Sequence, residues 1–71
     1  MKSAKVLSKI NVMGMTSLAL SSSIFDIKPK EHQVIINGSK YPFSIGYGTG
    51  GRMIVIENCP EENIEEVYFP G

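Results

Sequence analysis

The chain is short of four things: cysteine, net charge, long apolar runs and any catalytic signature. Cys59 is its only cysteine, which excludes an intrachain disulfide. Cys59 and His32 supply one soft ligand each, too few for a structural metal centre, and no cofactor is expected. Seven basic residues offset seven acidic ones. That balance argues against a protein held to nucleic acid by bulk charge, while a local basic patch would survive it. The stretch Ile10 to Leu20 follows Lys2, Lys5 and Lys9 as in a signal peptide, but Asn11, Thr16 and Ser17 dilute it. It is too short and polar to span a bilayer, so it reads as strand, with no membrane partner. A soluble cytoplasmic protein is the expectation, and a single unpaired cysteine agrees. No nucleophile–base pair or metal set can be named, so the chain reads as non-enzymatic.

Seventy-one residues, 42% of them hydrophobic, make one small domain over 1–71. Chains of this size bury a small fraction of their surface, and ordering entropy nearly cancels the hydrophobic gain. With disulfides and metals set aside, association is the remaining support, and a symmetric homo-oligomer is its default form.

What is present is β patterning. Val34-Ile35-Ile36 meets Asn37-Gly38, a pair that readily takes the positive φ angles of a tight hairpin. Strands are expected near His32 to Asn37, Lys40 to Tyr47 and Arg52 to Glu57, with a last one in Ile64 to Phe69. Pro42 marks an edge strand or a bulge. Upstream, Val6, Ser8, Ile10 and Val12 alternate with polar residues, Leu7 being the exception, and Gly14 permits a bend. Met15 to Ile27 reads as two short strands. A helix over Met15 to Phe25 is the alternative, weakened by serines that favour caps and turns. Lys28 to Glu31 is a loop around Pro29, and Pro60 with Glu61 and Glu62 suits a single helical turn. The fold class is all-β: a small antiparallel sandwich or barrel-like subunit of five or six short strands, expected to be oligomeric.

Gly46-Tyr47-Gly48-Thr49-Gly50-Gly51 is the candidate functional loop. Its glycines let backbone amides approach an anion, or admit a flat ligand between subunits; the plainer reading is a hairpin tip or bulged strand pair. His32 reads as a surface residue, and Cys59 as structural in an acidic neighbourhood that disfavours its thiolate. The lysines lie early and the glutamates cluster from Glu57 to Glu66, a polarity that most often is a solvated surface. Tyr41, Phe43, Tyr47, Tyr68 and Phe69 are stacking faces or core, and Val67-Tyr68-Phe69 reads as an anchor on a neighbour.

Asn11-Val12-Met13-Gly14-Met15-Thr16 resembles the Asn-Val-Ile-Gly-Leu-Thr segment of the tryptophan RNA-binding attenuation protein family. Lys28, Val34-Ile35-Ile36, Ser44, Gly50 and Ile54 also coincide with that family in an ungapped comparison over Asn11 to Ile54. The resemblance implies small all-β subunits in an undecameric ring, an amino acid bound between neighbours and RNA on the rim. It would place Thr16 and Ser44 at the ligand and Lys28 at RNA. The chain departs from the family at Leu18, where a glycine stands, and at Tyr47 and Thr49, which replace RNA-contacting basic residues.

The expected function is binding of a small polar ligand at subunit interfaces, with a regulatory role, through Thr16, Ser44, Gly48, Thr49 and Gly50. Alternatives are an inhibitor or adaptor docking on a protein partner, and an RNA-binding ring protein contacting RNA through Lys28.

Overall fold

The computed structural model describes residues 2–70. The elements are β1 (Lys2–Val12), β2 (Met15–Leu20), α1 (Ile24–Ile27), β3 (Gln33–Ile36), β4 (Ser39–Pro42), β5 (Ser44–Ile45), β6 (Met53–Glu57) and β7 (Glu66–Phe69). The protein is all-β: the seven strands form one antiparallel sheet in the order β4-β3-β7-β1-β2-β6-β5. The terminal strands of that order, β4 and β5, are separated in the chain by Phe43 alone. The chain itself therefore joins the two sheet edges, and the sheet curls into a nearly closed barrel.

Two-residue turns set the register. Ile36 pairs with Ser39 across Asn37 (φ 51°) and Gly38 (φ 86°), as expected from the Asn-Gly pair. Val12 pairs with Met15 across Met13 (φ 50°) and Gly14 (φ 78°), a second hairpin of the same kind where only a bend was expected. The strand expected over Lys40 to Tyr47 is broken at Phe43, whose N–H donates to the His32 carbonyl at 3.0 Å while its ring enters the core. Pro42 thus ends an edge strand, where its missing donor costs no ladder bond.

β1 serves both halves of the sheet. Lys2 to Lys5 pair with β7, whereas Val6 to Val12 pair with β2. The register slips between Val6 and Ser8, so Leu7 is a bulge residue. An extra residue reverses the facing of everything after it. Ala4 and Val6 accordingly turn toward the core, while Ile10 and Val12 of the same alternating set stand exposed outside.

The core joins both halves: Leu18, Leu20, Val34, Ile36, Ile54, Ile56, Val67 and Phe69 are fully buried. Removing any large one leaves a cavity worth about 2–5 kcal/mol. Three expectations are corrected here. Met15 to Ile27 holds one strand and one helical turn rather than two strands, because Ser23 caps the turn. The segment from Asn58 to Asn63 is irregular rather than helical. Val67 and Phe69 pack into this chain's own core, so only Tyr68 of the expected anchor faces outward.

Candidate functional site

The cleft beside the glycine loop is built from α1 outward. Ile24 and Ile27 are buried, which turns Phe25 to the surface, 63% exposed. The Ser23 hydroxyl accepts from the Phe25 N–H at 3.1 Å and donates to the Gly50 carbonyl at 2.6 Å. Ile24 N–H donates to the Gly51 carbonyl at 2.8 Å, so the cap of α1 and the loop lock together. Gly51 has φ +76°, and a Cβ there would lie 2.8 Å from both the Ser23 hydroxyl and the Phe25 ring. Only glycine fits that approach. Since the Gly50 carbonyl is turned onto Ser23, the N–H of the same trans peptide, on Gly51, points the opposite way.

The loop also closes on itself. Gly46 N–H reaches the Met53 carbonyl at 2.8 Å and Arg52 N–H the Thr49 carbonyl at 3.3 Å. The Thr49 hydroxyl donates to the Gly46 carbonyl at 2.8 Å. At Gly48 and Gly50, both at positive φ, nothing lies within 4 Å of where a Cβ would be. Between this loop, Phe25 and the bent β4–β5 run lies a cleft of about 620 Å³. His32, Phe43, Ser44 and Ile45 form its other wall, with Tyr47 wholly exposed at the mouth. The His32 and Phe43 rings are 5.6 Å apart, and Phe43 makes an edge contact with Phe69 at 5.6 Å. The aromatic wall is therefore anchored in the core. Its volume lies within the range of small-molecule sites, roughly 300–1,000 Å³.

Of the residues expected at a ligand site, Ser44, Gly48 and Gly50 come together here. Thr49 shapes the loop and does not line the cleft. Thr16 lies apart: it is buried, and its hydroxyl donates to Asn11 Oδ1 at 2.7 Å. Thr16 pairs with Ile56 and Ser44 with Val55, so the two side chains occupy opposite faces of the sheet. Phe25, His32, Phe43 and Ile45 were not expected at the site. Ser23 preceding Ile24 and Phe25 was the available signal, as a helix cap that turns the next aromatic outward.

Lys28 lies elsewhere. It ends α1 in the left-handed region (φ 52°) and, with Lys2 and Lys30, surrounds a small cavity of about 110 Å³.

The perturbed acids and phenols lie away from the cleft. Asn37 Nδ2 donates to Glu61 Oε1 at 3.0 Å and the Tyr41 hydroxyl to Oε2 at 3.0 Å. Asn37 first and Tyr41 second hold the Glu61 carboxyl below its ordinary range. Desolvation, then the Glu61 carboxylate, pushes the Tyr41 phenol up. With one hydrogen bond to each oxygen, Glu61 fastens the loop after β6 to the β3–β4 hairpin. Among the described residues no group of three or more His, Cys, Asp or Glu side chains is placed to hold a metal. No helix among them is long and apolar enough to cross a membrane.

Comparison with family models, curated proteins and solved structures finds no match, so the functional reading rests on this geometry.

Proposed function

We propose that the protein is a non-enzymatic binding protein that takes a small flat ring carrying a polar or anionic substituent in the cleft. The observation that carries this reading is the pairing of outward aromatic faces, Phe25 and Tyr47, with an adjoining glycine loop. A ring stacks on the aromatic faces, while the Ser44 hydroxyl and the unshielded loop amides receive its polar group. A regulatory role goes with this reading, in which the protein acts by what it holds.

Calorimetric titration with an indole carboxylate and a nucleoside monophosphate tests this. Loss of one stacking face costs about 1–3 kcal/mol, so Phe25→Ala should weaken binding roughly tenfold to a hundredfold. Ser44→Ala should weaken the charged probe more than its uncharged analogue. Equal affinity in Phe25→Ala and the parent protein would refute the site.

The Lys2, Lys28 and Lys30 cluster favours a second reading, in which a phosphate chain rests there. Neutralising three phosphates gives single-stranded RNA binding a salt slope of about −2. A slope that steep, lost in Lys28→Ala, would move the function from the cleft to this patch.

A further inference from the structure

β1 has an open side. Val6 N–H still reaches the Glu65 carbonyl at 2.8 Å, but among the described residues only β2 pairs with the strand from Ser8 onward. In a hairpin closed by two residues the pair flanking the turn exchanges both hydrogen bonds, and pairs then alternate. Val12, Ile10 and Ser8 therefore spend their backbone groups on β2, while Asn11 and Lys9 direct theirs at the open edge. The same segment carries apolar side chains outward. Leu7 is 68% exposed, Ile10 52%, Val12 58%, Met13 97% and Met15 40%. Lysine usually protects such an edge. Here Lys9 instead reaches the Glu61 and Glu62 carbonyls, at 3.3 and 2.6 Å.

We propose that this edge pairs with the same edge of a second copy, antiparallel about a two-fold axis through Ile10. In that register Lys9 of each copy faces Asn11 of the other, and their free backbone groups complete the ladder. Ile10 packs on Ile10 of the second copy, and Ser8 faces Val12. Centring on Lys9 would bring Asn11 onto the bulge at Leu7, and centring on Asn11 would run Lys9 onto the turn. The five exposed apolar side chains make a patch on the order of 500 Å², near the largest a typical monomer carries. Pairing sets Ile10, Val12 and Met13 of the two copies side by side on one continued sheet face, where they shield part of one another's apolar surface while the free backbone groups complete the ladder. Glu57, opposite Met15, borders the patch on the side away from the edge, while Lys9 is turned away, so the edge itself presents apolar side chains and free backbone groups that complement the same edge of a second copy. Pairing of this edge with itself about a two-fold axis is isologous and closes the assembly at two. Ile10 and Ser44 lie in one cross-sheet row through Ser17 and Val55, three strand spacings or about 14 Å apart, so this pairing neither needs nor covers the cleft.

Sedimentation across the micromolar range, combined with cross-linking, tests the pairing. The native protein should be a dimer, and Ile10→Lys should weaken association at least roughly tenfold with an unchanged unfolding midpoint, because the site is exposed. In a Cys59→Ser background, Ile10→Cys should oxidise to a covalent dimer much faster than Lys40→Cys. Facing residues of a non-hydrogen-bonded pair lie about 4.5 Å apart at Cα, within disulfide reach. A native monomer at high micromolar concentration, a larger ring, or equal cross-linking rates for the two cysteine variants would overturn the proposal. Loss of ligand binding alone would bear on the cleft and leave this result untouched.

Discussion

Gly51→Ala puts the strongest single demand on the site's construction. A side chain at φ +76° costs roughly 1–2 kcal/mol from backbone sterics alone. The new methyl would also press on the Ser23 hydroxyl at 2.8 Å, the group that caps α1 and holds the Gly50 carbonyl. Losing a cap of this kind costs about 1 kcal/mol more. The Phe25 ring, being largely exposed, swings aside at little cost. The sum is about 2–3 kcal/mol, and for a domain of this size each kcal/mol lowers the melting temperature by roughly 4–8 °C. Gly48→Ala is the matched control, since its φ of +79° carries the same strain with nothing within 4 Å. Thermal unfolding by circular dichroism should therefore show Gly51→Ala below Gly48→Ala by about 4–8 °C, with affinity for the aromatic probes reduced because Phe25 has moved. Equal midpoints for the two variants would show that the contact between α1 and the loop is not what holds the cleft.

Three other outcomes follow from the same geometry. Thr16→Val should cost under about 1 kcal/mol and leave probe affinity unchanged, because its partner Asn11 is exposed and water replaces the lost donor; a loss of binding in calorimetry would restore Thr16 to the site. Gly38→Val should lower stability by about 1 kcal/mol or more in urea titration, from strain at φ 86° with nothing nearby to clash; an unchanged midpoint would deny the turn. Glu61 has a folded pKa below its unfolded one, so its contribution is present above the unfolded value and lost as pH falls through the folded value. Unfolding midpoints of Glu61→Gln and the native protein should therefore converge in acid, and a constant gap across pH would contradict that.

Much of the fold was legible in the chain, and the failures share a cause. Asn37-Gly38 announced its hairpin because its backbone angles depend on those two residues alone. Leu7, the one break in the alternation, is the bulge residue. Sequence alternation, however, separates two faces without saying which is inside. Val67 and Phe69 were read as an outward anchor and are core, while Ile10 and Val12 were read with Val6 and face out. The cleft was half visible. Its glycine loop stands out in the sequence, but the aromatic wall depends on the Ser23 cap and on the bend at Phe43, both set by tertiary contacts.

The most direct measurement is a residue-resolved NMR titration of the isotopically labelled protein with the indole carboxylate and the nucleoside monophosphate. Amide shifts should concentrate at Phe25, His32, Ser44 to Gly48 and Gly50 to Gly51, with Thr16 and Lys28 unmoved. Shifts centred on Lys28 and Lys30, or on no region at all at millimolar probe, would contradict the cleft as the binding site.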